Sequence, residues 1–201
     1  AFRSRNIEMF FPIKVAPWNP LLRSLVDAGL GLEAIHAEAA AEALSMAPGN
    51  VILGGPAKTS DAIRLGLRAS GWRFVSCESP DEINLLQRLA SEAGIRQEVL
   101  LRLKVTPLRR LGMSLDDAEA VLSRQDRLSA LQIVGLHVHA GSNLTFEETA
   151  LTADFVRDAA ARLSRAGLDL AHINFGGGFP CLDAGVDEVA RRLQRYAEVA
   201  R

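Results

Sequence analysis

The sequence predicts an α/β protein of the (β/α)8 barrel class, with about seven strand-helix units present. Three observations carry this. Short apolar strands alternate with amphipathic helices through all 201 residues with no low-complexity linker. The strands are apolar on both faces, as parallel strands covered on both sides are. An open doubly wound sheet more often carries a glycine-rich turn after its first strand; here the first strand leads into Lys14-Val15-Ala16-Pro17-Trp18 and the glycine triplet follows the last.

In chain order, the predicted strands are 10–15, 33–35, 51–54, 74–77, 99–105, 133–139 and 171–175. Helix starts separate them. Asn19 is read as an N-cap with Pro20 at the first helical position. The segment 37–44 is alanine-rich and strongly helical. Ser79-Pro80-Asp81-Glu82 and Thr145-Phe146-Glu147-Glu148 read as capping boxes. Ser114 precedes Asp116 and Asp117, which places carboxylates in a first turn, where the helix dipole favours them. Gly29, Gly71, Gly94 and Gly167 fit helix ends.

Composition limits the function. A net charge of −1 gives no electrostatic case for nucleic acid or an anionic membrane. No apolar run is long enough to span a bilayer, and residues 1–5 lack the apolar core of a signal peptide. Cys77 and Cys181 lie far apart without metal-type spacing, which points to a reducing cytoplasm. A buried-type strand so near the first residue is unusual for a complete protein.

Lys14 closes the apolar run Met9-Phe10-Phe11-Pro12-Ile13. Such a lysine either snorkels from a strand end or, if desolvated, serves as a nucleophile able to form a Schiff base. His137 and His139 are two apart on one strand and share a face. If His139 points into a barrel, so do His137 and Gly135, while Leu136 and Val138 face the helices. His137 reads as a hydrogen-bonded core residue. A metal site would need a third ligand motif, and none is seen. Gly176-Gly177-Gly178 removes every Cβ after the last strand, so it is either a plain flexible loop or a place where backbone N–H groups approach an anion. Lysine, histidine and glycine loop together suit pyridoxal phosphate.

These segments resemble the pyridoxal-phosphate decarboxylases of the alanine-racemase-type barrel, the diaminopimelate, ornithine and biosynthetic arginine decarboxylase group. Phe11-Pro12-Ile13-Lys14 resembles the family's Tyr-Ala-Val-Lys strand, and Gly55-Pro56-Ala57-Lys58-Thr59 its Asn-Pro-x-Lys segment. Leu100-Leu101-Arg102-Leu103 resembles its arginine-bearing fifth strand. His137-Val138-His139-Ala140-Gly141-Ser142 resembles its His-x-His-x-Gly-Ser strand, and Asn174-Phe175-Gly176-Gly177-Gly178-Phe179 its Asp-x-Gly-Gly-Gly-Phe turn.

The resemblance implies decarboxylation of an amino acid, a diamino acid such as diaminopimelate or ornithine, with pyridoxal 5'-phosphate as cofactor. It implies Lys14 as the Schiff-base lysine and His139 as the ring-stacking histidine. Ser142, Gly176, Gly177 and Gly178 would bind the phosphate. Arg102 and Glu33 would form a charged pair under the cofactor, or an ordinary strand-end ion pair. It also implies a homodimer with shared active sites and, for residues 1–201, a cofactor-binding barrel domain whose eighth strand and C-terminal β-domain lie outside this sequence. The alternatives are a non-catalytic cofactor-binding regulator and an amino-acid racemase of the same barrel. Departures from the pattern point to a divergent subgroup. Ala16 stands where asparagine is usual, Glu33 where aspartate is, and His36 where serine is. Arg110-Leu111-Gly112 replaces Lys-Phe-Gly, and the connection 107–112 is short.

Overall fold

The computed structural model describes residues 7–69, 71–105, 111–178 and 191. The expected seventh helix, Phe179, Cys181 and most of the 107–112 connection lie outside the described residues.

Strands β1 (Phe10–Pro12), β2 (Gly31–Ala34), β3 (Val51–Leu53), β4 (Phe74–Cys77), β5 (Gln97–Leu103), β6 (Leu131–Val138) and β7 (His172–Asn174) form one sheet. Its order is β1 to β7 without a crossover, and every neighbouring pair is parallel. A doubly wound sheet reverses its strand order at a switch point; this one never does, which is barrel topology. Between the strands run α1 (Asn19–Asp27), α2 (Ala37–Met46), α3 (Ser60–Arg68), α4 (Pro80–Ala93), α5 (Leu115–Leu122) and, ahead of β7, α6 (Phe146–Arg165).

The two faces of the sheet have different cores. Leu32, Leu53, Val75, Leu101, Leu136 and Val138 join the main cluster with the helices. Ile52, Phe74, Leu100 and Val134, with Phe10 against them, form a small inner plug. One step nearer the carboxyl ends, the inner positions become polar: Glu33, Ser76, Arg102 and His137. Apolar filling below and chemistry above is how such barrels divide their interior.

Most elements form where the sequence predicts them, and the exceptions have local causes. β1 stops at Pro12, which has no N–H for the ladder, and Ile13–Val15 closes into a 3-10 turn. Lys14 therefore sits on an exposed turn and not at the end of a buried strand. The N-cap of α1 is Trp18 and not Asn19: the Leu22 N–H already donates to the Trp18 carbonyl at 3.1 Å. Thr145 and Glu148 make a reciprocal box at α6, and Ser114 and Asp117 make another at α5. At α4 only half of the box forms. Ser79 accepts from the Glu82 N–H, but the Glu82 carboxylate accepts instead from the Glu78 N–H at 2.9 Å. Gly29, Gly71, Gly94 and Gly167 all follow helices with positive φ.

Candidate active site

The carboxyl ends of the strands gather most of the sequence-predicted residues. His137 is the deepest. It is 4% exposed, and its Nδ1 lies 2.5 Å from the Ser76 Oγ. Burial holds its imidazole well below the usual histidine range, and Arg102, His139 and Lys58 push the same way. It is the hydrogen-bonded core histidine expected. The described residues hold no group of three or more His, Cys, Asp or Glu side chains able to bind a metal ion.

A bulge puts this strand in phase. Val99 pairs with Ile133, but Leu100 pairs with Gly135, leaving Val134 as the extra residue. Ile133 faces the helices and Val134 the interior. Strict alternation from Ile133 would have sent His137 outward. The bulge turns His137 toward Ser76, while Leu136 and Val138 go to the helix side.

His139 lies just past β6, half-buried, and its Nδ1 accepts a long 3.5 Å hydrogen bond from the Gly177 N–H. The glycine turn is shaped by its own chain. The Asn174 Oδ1 accepts from the Gly176 N–H at 2.8 Å, and the Leu144 N–H donates to the Gly178 carbonyl at 2.8 Å. Gly176 and Gly178 have φ of 70° and 92°. A Cβ on Gly176 would run into the Val138 carbonyl, and one on Gly178 into the Gly141 carbonyl. Gly177 differs: a Cβ there would meet nothing within 4 Å. Both flanking glycines are thus required by their own chain, whereas the space beside Gly177 is open. Ser142, next to Gly141, is exposed.

Across the sheet, the Glu33 carboxylate sits where a Gly54 side chain would be: a Cβ on Gly54 would strike Glu33 Oε1. Burial pushes the Glu33 carboxyl up, while the charges of Lys14, Arg102 and Lys58 pull it down. The expected ion pair between Arg102 and Glu33 is not what forms. Arg102 Nη1 meets Glu78 Oε1 at 2.5 Å, with both side chains 8% exposed. Glu78 follows β4 and projects to the same side as Arg102, so it takes the guanidinium first.

Sequence reasoning passed over Glu78 and Ser76, and quoted Glu82 only as part of a capping box and Lys58 only as part of a motif. Lys58 Nζ, on a side chain 1% exposed, donates to the Gly55 carbonyl at 2.6 Å and to Glu82 Oε2 at 2.9 Å. The capping box at Ser79 was the one available signal: only half of it forms, and its carboxylate turns to Lys58 and to the Glu78 N–H.

Residues 1–201 match the family model described as pyridoxal-dependent decarboxylase, pyridoxal binding domain. The diaminopimelate decarboxylase of Pseudomonas aeruginosa is 33% identical over 145 residues, which cover 65% of this chain and 35% of the relative. The crystal structure of diaminopimelate decarboxylase from M. jannaschii superposes with a TM-score of 0.83 at 20% identity, over 99% of this chain and 54% of that one. The lysine/ornithine decarboxylase from Vibrio vulnificus complexed with putrescine gives a TM-score of 0.79 at 20% identity, over 96% and 53%. The chain thus spans between about a third and a half of the length of these relatives. By the match along its whole length, the chain belongs to the pyridoxal-binding domain family of the pyridoxal-dependent decarboxylases, whose cofactor is pyridoxal phosphate.

Proposed function

We propose that the full-length protein containing this chain decarboxylates an amino acid with a second amino group, of the diaminopimelate, lysine or ornithine kind, and that Lys14 is the amine to which the cofactor is linked. The observation that carries this reading is the state of Lys14 in a chain of this family. It is exposed at the mouth of the sheet, with Glu33 in its field and, among the described residues, no hydrogen bond or ion pair of its own. An amine that no described residue holds by a hydrogen bond or ion pair is open to a carbonyl carbon.

The residues present fit pyridoxal phosphate. The glycine turn removes side chains where an anion has to come close, and its most open position is Gly177. Ser142 offers a hydroxyl at the neighbouring loop. His139, tied to that turn, offers a ring face to stack against and fix orientation. Arg102 and Glu33 supply charge below. When bound, the cofactor supplies an electron sink for the pair released as carbon dioxide leaves. The chain's own residues hold position and orientation, so that the bond to be cleaved is presented correctly. The reading includes a homodimer with shared sites in the cytoplasm; sedimentation of the full-length protein checks the subunit number.

The test is carbon dioxide release from a panel of diamino acids by the full-length protein, with the lysine linkage fixed by borohydride and located by peptide mapping. Label on Lys14 and release from at least one diamino acid are expected. Racemisation without gas release would favour the racemase alternative. Neither activity, with cofactor bound, would favour a regulator. Label on Lys58 would overturn the lysine assignment.

A further inference from the structure

The carboxyl ends of β1 to β5 carry the cations Lys14, Lys58 and Arg102 and the acids Glu33, Glu78 and Glu82. Two of the possible pairs are closed. Lys58 is held by Glu82 and Arg102 by Glu78, all four side chains being no more than 13% exposed. Lys14 and Glu33 remain, and among the described residues neither makes a hydrogen bond or ion pair.

The closed pairs are mechanically linked. Glu82 Oε2 accepts both from Lys58 Nζ and from the Glu78 N–H, each at 2.9 Å. One carboxylate oxygen thus ties the turn after β3 to the turn after β4. Glu78 starts from a fixed backbone position, and its carboxylate reaches Arg102. The turn after β3 is itself held in an unfavourable form. Ala57, just before Lys58, has a φ of 53°, a left-handed conformation that a non-glycine residue keeps only when its surroundings impose it.

We propose that Glu78, aimed by the Lys58–Glu82 clamp, is a positioning residue that draws the Arg102 guanidinium off Glu33 and so leaves Glu33 to the Lys14 amine. The inference rests on the reading of Lys14 as the cofactor-linking amine. The charged groups acting on Glu33 are Lys14 after β1, Lys58 after β3 and Arg102 on β5. Glu33 and Arg102 both belong to the polar inner layer. With the Glu78 charge gone, Glu33 is the acid left for Arg102. A direct pair would make Glu33 a stronger acid and withdraw it from Lys14.

The test uses the full-length protein freed of cofactor, with the Glu33 carboxyl titration followed by carbon-13 NMR and assigned by its loss in Glu33→Gln. Glu78→Gln is expected to lower the Glu33 midpoint by about one pH unit or more and to slow pyridoxal phosphate linkage to Lys14 about tenfold. Glu78→Asp, charged but shorter, should fall between the variant and the parent. A folded Glu78→Gln with an unchanged Glu33 midpoint overturns the inference even if borohydride still labels Lys14. Label on another lysine overturns the functional reading, while the midpoint shift still reports on the clamp. If Glu78→Gln does not fold, Glu78→Asp is read in the same way. Failure of both to fold also overturns the inference, because Glu78 would then be holding the fold and not setting Glu33.

Discussion

Lys14 and Lys58 both follow a parallel strand at its carboxyl end, and both stand in segments that resemble family motifs. The protein treats them in opposite ways. Lys58 is buried and satisfied by a carbonyl and a carboxylate; Lys14 is exposed on a 3-10 turn and makes no hydrogen bond or ion pair among the described residues. The contrast locates availability for chemistry. An ammonium group held by strong, charge-assisted bonds must break them before it can attack anything. Burial alone, the first reason to suspect a strand-end lysine, picks out Lys58, whose amine is already held. The criterion that separates them is whether the protein already occupies the amine.

The largest expected effect breaks the pair from the Lys58 side. Lys58→Met leaves the Glu82 carboxylate largely buried without its counter-charge, which costs about 3–5 kcal/mol. Lys14→Met removes no hydrogen bond or ion pair among the described residues and should change stability by no more than about 0.5 kcal/mol, yet abolish cofactor linkage. Urea unfolding and borohydride labelling of the two full-length variants check both halves. Equal destabilisation would erase the distinction.

The glycine turn sharpens the same point about space. Gly178→Ala must adopt a positive φ and also displace the Gly141 carbonyl; a cost of about 2–3 kcal/mol is expected, with cofactor affinity lowered at least tenfold. Gly177→Ala finds open space and should leave the fold nearly unchanged. If Gly177→Ala also weakens cofactor binding, the anion itself occupies that space. Equilibrium dialysis with pyridoxal phosphate separates the outcomes.

The strands and their order were legible because each is an apolar run punctuated by helix caps, and sequential βα units leave few topologies. Lys14, His139 and the glycine turn stood out as candidates because their residue types are uncommon in combination. Partnerships were not. Nothing in Leu100-Leu101-Arg102-Leu103 tells whether the guanidinium meets Glu33 or Glu78, because the choice is made by a clamp between two turns. The inward phase of His137 was reached only by starting the alternation from His139; started from Ile133 it fails, because the Val134 bulge leaves no mark in composition. The crowding at Gly176 and Gly178 comes from the β6 end and the loop after it, far away in sequence.

His137 gives a pH-dependent test of the inner layer. The unfolded chain takes up a proton on this histidine near pH 6.5, whereas the folded chain resists until well below that. The folded value is depressed, so its contribution is present above pH 6.5 and is lost as pH falls through the window below. Stability should drop there by up to about 1.4 kcal/mol per pH unit. Glu33 has the opposite sign: its folded value is raised, so its neutral form favours folding at low pH and that contribution fades as pH rises above 4.5. His137→Gln should remove the first slope and leave the second. Unfolding free energies of parent and variant between pH 5 and 7 measure the difference, and parallel curves would mean that His137 takes up its proton alike in the folded and the unfolded chain.

The smallest effect concerns the backbone that presents Lys58. Ala57 is exposed, so its left-handed φ of 53° is not a consequence of packing its methyl group. An L-residue in that region costs about 1–2 kcal/mol. Glycine removes that cost but loses about 0.5–1 kcal/mol through its freer unfolded chain. Ala57→Gly should therefore stabilise the protein by a few tenths to about 1 kcal/mol. The sign matters more than the size. If the Lys58–Glu82 clamp imposes the turn, relieving Ala57 leaves the clamp intact, and Lys58→Met should cost as much in the Ala57→Gly background as in the parent. If Ala57 instead holds the turn that aims Lys58, glycine loosens it, and the double variant loses less than the sum of the single changes. Urea unfolding of the full-length parent, both single variants and the double variant gives the coupling. A coupling above about 0.5 kcal/mol would move the origin of the clamp from the ion pair to the backbone.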